Sequence, residues 1–261
     1  MKGTPSALIL MQLADPEGFK KSEEAVSGAS VQIAELPFTN VLAHLQRTGV
    51  TVPQLHYYDR EAGLLYLEDF GDLTLAEACR DADRARLVSL YRQAIDQLVL
   101  LQVKGTQPPA PGCIAFHRGF DVPLLMWEFD HFLEYGIVAR LGQPMKPADD
   151  KAVRAEFQRI AELLAGQPQV FVHRDYHSRN LMVDGSRIGV IDFQDALMGP
   201  ATYDLASLLK DAYIELDDAV VDGLVDHFLD GLAAQGQGWA DRAAFRRLFD
   251  FTSIQRNLKA A

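Results

Sequence analysis

The chain has 261 residues, 48% of them hydrophobic and 23% charged, with a formal net charge of −11. That is enough apolar material for one large or two modest domains, and the acidic balance argues against nucleic acid or an anionic membrane as a partner, since both reward clustered lysine and arginine. Cys79 and Cys113 are the only cysteines and lack metal-ligand spacing, which excludes a disulfide framework and suits a reducing cytoplasm.

The first apolar run, Ala7 to Ala14, is too short to span a bilayer and lacks the charged region and cleavage site of a signal peptide, so it reads as a strand over Ala7 to Leu13. Phe38 to Thr48 follows Pro37 with Phe38, Val41, Leu42 and Leu45 at helical spacing and stops at Gly49. Gln54 to Tyr58 and Gly63 to Glu68 are two further strands. Beyond Glu68-Asp69-Phe70-Gly71-Asp72 helical periodicity takes over. It is strongest in Asp83 to Val103, where Leu87, Leu90, Tyr91, Ala94, Leu98 and Leu101 share a face. The boundary therefore falls near Gly71. Residues 1–70 are expected to form a small sheet-rich lobe and residues 71–261 a larger helical lobe, an α+β arrangement whose cleft would hold a nucleotide. In that cleft the backbone of Glu68, Asp69 and Phe70 would be the hinge that bonds the adenine edge; the bland alternative is an acidic turn.

Further along, Phe120 to Tyr135 is rich in aromatic and acidic groups and reads as an amphipathic helix, with Trp127, Phe129 and Phe132 in the core. The segment Val172 to Val183 contains His173-Arg174-Asp175-Tyr176-His177-Ser178-Arg179-Asn180, and Ile188 to Phe193 follows a turn at Asp184-Gly185-Ser186. The turn predicts a hairpin that brings Asn180 beside Asp192 at the end of an apolar strand. Phosphoryl transfer needs a carboxylate to position the attacking hydroxyl and oxygen ligands for magnesium. Asp175 fits the first role, Asn180 and Asp192 the second. His173 is expected to brace the loop by hydrogen bonds, and Arg174 to be a solvated or phosphate-facing charge. Asp204, in the helix that follows Gly199-Pro200, has two open roles, favouring the helix dipole or reaching back to hold the catalytic loop. Asp217 to Leu232 and Asp241 to Lys259 are the last two helices.

His173 to Met182, Ile191-Asp192-Phe193-Gln194-Asp195-Ala196, Gly199-Pro200, Tyr203-Asp204-Leu205 and Gln255-Arg256-Asn257-Leu258-Lys259 together resemble the aminoglycoside phosphotransferase superfamily. Within it the similarity is closest to the anomeric cell-wall sugar kinases, which use ATP to phosphorylate N-acetylmuramate and N-acetylglucosamine. The resemblance implies a two-lobed protein-kinase-like fold and an ATP- and magnesium-dependent kinase. It makes Asp175 the catalytic base, Asn180 and Asp192 the magnesium ligands, and Glu68 to Phe70 the adenine hinge. Asp195 and Glu128 are the candidates for sugar hydroxyl or acetamido groups.

The sequence departs from that pattern at its start. No closely spaced glycines form a phosphate lid, and Ala7 to Leu13 carries no lysine; Lys2, Lys20 and Lys21 lie outside it, and Glu35 is only near the usual position of a helix partner. The small lobe thus reads as truncated, beginning at its third strand. Two alternatives follow: a kinase for an aminoglycoside, choline or another amine, and a nucleotide-binding domain with impaired catalysis. Because N-acetylmuramate is an anion, a basic group near the acceptor site would discriminate, and Arg118, Arg140 and Arg256 are the possible suppliers.

Overall fold

The computed structural model describes residues 7–13 and 35–260; Lys2, Lys20 and Lys21 fall outside them. Strand β1 (Leu8–Gln12) pairs antiparallel with β3 (Leu64–Glu68), and β2 (Leu55–Asp59) pairs with the other edge of β3, in the order β1-β3-β2. Leu65 and Leu67 alternate inward from β3 and pack with Phe38, Val41, Leu42 and Leu45 of helix α1 (Pro37–Leu45). Pro37 opens α1 with a preset φ. The helix is shorter than the sequence suggests, because Gln46 to Gly49 leave it in a turn that ends with Gly49 at φ 84°.

After β3 the chain passes through Asp69 to Leu73. Gly71 takes φ 78°, and the Asp69 carboxylate accepts its amide at 2.7 Å. Everything beyond is mainly helical. Helix α2 (Leu75–Arg80) starts with a capping box in which Thr74 and Glu77 exchange hydrogen bonds. Helix α3 (Arg84–Thr106) is capped by Asp83, and its apolar face, including Leu90, Tyr91, Ala94 and Leu98, is buried. Helix α4 (Val122–His131) is capped by Asp121 and runs into a π-helical stretch, Phe132–Val138. The single helix expected over Phe120 to Tyr135 is thus two pieces of different pitch. Helix α5 (Pro147–Ala165) packs on α4, with Phe129 and Phe157 stacked at 4.0 Å. Such a pair adds about 0.5–1.5 kcal/mol to the burial of its rings.

Two short ladders frame the loop of interest. Strand β4 (Gln169–Val172) pairs with β7 (Leu197–Pro200), while β5 (Leu181–Asp184) and β6 (Arg187–Val190) form the expected hairpin about Gly185 at φ 60°. Helix α6 (Thr202–Leu209) is buried at nearly every position, α7 (Asp218–Ala234) packs on α3, and α8 (Arg242–Ala260) packs on α6. The architecture is α+β, a small sheet lobe on a larger helical one. Among the described residues no helix is long and apolar enough to cross a membrane.

Phe70 ties the two parts together. Its ring is buried against β6 at Gly189, where an added Cβ would fall inside the ring. Only glycine leaves that space.

Candidate active site

The loop between β4 and β5 is held from four sides. Asp204, in the first turn of α6, accepts the His173 amide at 2.7 Å and the Arg174 amide at 3.0 Å. The Tyr176 hydroxyl donates to the Ala94 carbonyl of α3 at 2.8 Å. Ser178 donates its amide to Asp211 at 2.8 Å, and the Ile191 amide donates to the Asn180 carbonyl at 3.1 Å. These bonds fix a backbone that would otherwise be strained, since Arg174 sits at φ 82° and Asp192 at φ 65°.

Asp175, Asn180 and Asp192 converge. Asn180 Nδ2 donates to the Asp175 carbonyl at 3.0 Å and to Asp192 Oδ2 at 3.1 Å. With its NH₂ end so directed, the Asn180 amide keeps its oxygen as a donor for a cation. Gln194 Nε2 donates to Asp192 Oδ1 at 2.7 Å. Among the described residues no group of three or more His, Cys, Asp or Glu side chains could hold a metal by itself. An amide and a carboxylate suit magnesium, which keeps waters and shares its ligands with substrate phosphates.

Both histidines near the loop are held neutral by burial. His173 is fully buried, and burial lowers its pKa; its Nε2 bonds the Ile191 carbonyl at 2.9 Å, and its Nδ1 accepts the Asp175 amide at 3.3 Å. It is the brace the sequence suggests. Burial also lowers His177. For Asp175, burial pushes the pKa up, but Lys259, Arg256, His173 and Arg174 outweigh it and hold the carboxyl below its ordinary value. Asp175 therefore stays ionised near neutral pH.

Two expectations are corrected. Arg174 is not a solvated charge: it is buried, with Nη2 3.4 Å from Glu128 Oε1. Glu128, expected to meet sugar hydroxyls, is 1% exposed, with Lys259 Nζ 3.1 Å from Oε1 and Gln255 Nε2 donating to Oε2 at 2.7 Å. Both of its oxygens are engaged, because a carboxylate buried this deeply must be paired. The other acceptor-site candidate, Asp195, is half-buried, and no described residue bonds its carboxylate. The open choice for Asp204 resolves toward the catalytic loop. Of the three arginines Arg118, Arg140 and Arg256, it is Arg256 whose Nη2 lies 3.8 Å from Asp175 Oδ1.

At the hinge, the Glu68 amide is already donated to the Gln54 carbonyl at 2.8 Å. The Glu68 carboxylate accepts the Gln54 amide at 3.1 Å and lies 3.8 Å from Arg187. A cavity of about 490 Å³ opens there, lined by Gln46, Thr51, Gln54, Glu68, Phe70 and Arg187 among others; none of Asp175, Asn180 or Asp192 borders it. Glu35, near the expected helix partner of a strand lysine, instead accepts from Asn40 at 2.9 Å.

Residues 25–245 match the family model described as APH, phosphotransferase enzyme family. The chain belongs to this family. An N-acetylmuramate/N-acetylglucosamine kinase of Pseudomonas putida is 37% identical over 228 residues, covering 85% of this chain and 63% of that protein. The enzyme of the same name from Neisseria meningitidis serogroup B is 33% identical over 214 residues, covering 81% of this chain and 62% of its own. The chain thus spans less than two thirds of the length of these curated relatives. A choline kinase from Streptococcus pneumoniae, 16% identical, superposes with a TM-score of 0.57 over 97% of this chain and 77% of that structure. That likeness gives the phosphotransferase family member a protein-kinase-like fold.

Proposed function

We propose that the chain is an ATP-dependent phosphotransferase acting on a hydroxyl of a small amino sugar, N-acetylmuramate or N-acetylglucosamine at the anomeric position. The observation that carries this reading is that Asn180 bonds both the backbone carbonyl of Asp175 on the braced loop and the carboxylate of Asp192 just after the hairpin. Asp175 accepts a hydrogen bond from the acceptor hydroxyl and aims its oxygen at the γ-phosphorus. As the new O–P bond forms, the bond from phosphorus to the β,γ-bridging oxygen breaks, ADP departs and the hydroxyl proton passes to Asp175. A carboxylate with a lowered pKa is a weak base, so its main contribution is orientation, with the proton moving late. Asn180 and Asp192 are the residues that would hold magnesium, whose charge offsets that of the phosphates. Asp69 and Phe70 offer backbone groups to the adenine edge; the Glu68 amide is already used. Asp195 is the carboxylate open to an acceptor hydroxyl.

The charges beside Asp175 favour a neutral or acidic acceptor over a cationic one. Arg256 and Lys259 both act on this carboxylate, and a polycationic aminoglycoside would meet them at the point of attack. One observation favours the reading of an impaired nucleotide-binding domain, namely that β1 (Leu-Ile-Leu-Met-Gln) carries no lysine to grip phosphate. A transfer assay with ATP and magnesium against N-acetylmuramate, N-acetylglucosamine and kanamycin, with product regiochemistry read by NMR, separates the three. Phosphorylation of a sugar at its anomeric oxygen is the expected result. Transfer only to kanamycin, or to nothing, removes the proposal.

A further inference from the structure

Helix α8 brings three polar side chains under the catalytic loop, and their commitments differ. Gln255 and Lys259, four residues apart and so on one helix face, both engage Glu128, at 2.7 and 3.1 Å. Arg174 approaches the same carboxylate at 3.4 Å. Glu128 is therefore the counter-charge for Arg174 and Lys259, and Arg256 is left out of that cluster. Its Nε donates to Ser207 Oγ of α6 at 3.0 Å, which fixes the guanidinium plane, and the side chain is 12% exposed. Its Nη2 is 3.8 Å from Asp175 Oδ1, an ion-pair distance too long for a hydrogen bond. Among the described residues neither terminal nitrogen of Arg256 has a hydrogen-bond acceptor. The result is a pre-oriented fork of donors beside the attacking position, held by one bond at its base. A guanidinium fork suits a carboxylate, which it can bind through two parallel hydrogen bonds.

We propose that Arg256 is the specificity-determining residue of the acceptor site, binding through its terminal nitrogens a carboxylate carried by the acceptor sugar. The inference rests on the phosphotransferase reading above and deepens it: an acidic amino sugar such as N-acetylmuramate is preferred to a neutral one of the same ring. The carboxylate takes no part in the transfer itself, so its binding is felt equally in ground and transition states and shows in KM more than in kcat.

The test compares kcat/KM for N-acetylmuramate and N-acetylglucosamine in the wild type, Arg256→Gln and Arg256→Lys. Arg256→Gln is expected to lower the muramate-to-glucosamine selectivity ratio at least tenfold, mostly through KM for muramate. Arg256→Lys, which keeps the charge without the fork, is expected to restore part of it. An equal fall in kcat on both sugars, with the ratio unchanged, overturns the proposal and moves Arg256 to the transferring phosphoryl group or to Asp175. Calorimetric titration of each sugar without nucleotide reads the same preference in the absence of turnover. If the wild type phosphorylates neither sugar, the transfer reading fails by itself. Arg256 is still judged by whether Arg256→Gln weakens N-acetylmuramate binding at least tenfold, and equal affinity of the two proteins overturns it.

Discussion

Asp204 Oδ2 accepts the backbone amide of His173 at 2.7 Å across 31 residues of sequence. Its other oxygen takes the next amide, that of Arg174, at 3.0 Å. One buried side chain on α6 thus sets the path of the loop that carries Asp175. Because Arg174 is held at φ 82°, a conformation costing on the order of 1–3 kcal/mol for a residue with a side chain, this clamp stabilises a backbone that the local sequence would not choose.

Replacing Asp175 by Asn is expected to cut phosphate transfer by about 10²–10⁴-fold, the usual range for a positioned acid or base. Stability should hold or fall slightly, because the surrounding positive charges outweigh burial and favour the ionised carboxylate in the folded chain, although no described side chain bonds it more closely than the 3.8 Å approach of Arg256. Initial rates and thermal melts check both halves. Turnover within threefold of wild type would take Asp175 out of the mechanism.

Asn180→Ala and Asp192→Asn should act through magnesium. Asp192 stands at φ 65°, a region that Asn tolerates better than Ala, so the Asn variant removes the charge without adding strain. Both variants are expected to raise the magnesium concentration needed for half-maximal rate by about tenfold or more, the scale of losing one ligand group. Unchanged magnesium titrations would mean that the ion is held elsewhere.

Much of this was legible in the sequence because it is local. The hairpin follows from Asp184-Gly185-Ser186 between apolar runs, and it alone brings Asn180 to Asp192. Helices α3, α7 and α8 follow from their apolar spacing to within a few residues. What the sequence hid is long-range polar pairing. Glu128 looked like a sugar ligand because an acidic residue among aromatics suits a carbohydrate; its partners Arg174, Gln255 and Lys259 lie far away in the chain, and no spacing rule connects them. The same holds for the hinge. The Glu68 amide is consumed by Gln54, a pairing set by how β2 enters the sheet. The π-helical Phe132–Val138 was equally invisible, since its aromatic spacing reads as an ordinary continuation of α4.

The Glu128 cluster gives a stability prediction. Glu128→Ala would leave Arg174 and Lys259 without their shared carboxylate in a buried setting. Breaking one side of a buried ion pair costs about 3–5 kcal/mol. An unfolding free energy lowered by that amount in denaturant titration is expected, with Glu128→Gln intermediate because it keeps the Gln255 contact. A loss under about 1 kcal/mol for the Ala variant would show that the cluster is solvated and contributes little.

Asp204 should make stability fall as pH rises. Burial, opposed by the two amide hydrogen bonds, lifts its pKa from 3.8 to about 7 in the folded chain. The folded state therefore keeps a proton that the unfolded state has released between about pH 4 and pH 7. In that window the unfolded chain binds fewer protons, so this group's contribution becomes less favourable by about 1.4 kcal/mol per pH unit; it levels off above the folded value. Asp204→Asn cannot titrate. Comparing denaturant midpoints of the two proteins at pH 5 and pH 7 isolates the effect, since other groups largely cancel. The wild-type advantage over Asp204→Asn is expected to shrink by about 2 kcal/mol between those values. An advantage that stays constant between pH 5 and pH 7 would mean that the His173 and Arg174 amides hold Asp204 ionised throughout, with their hydrogen bonds outweighing its burial.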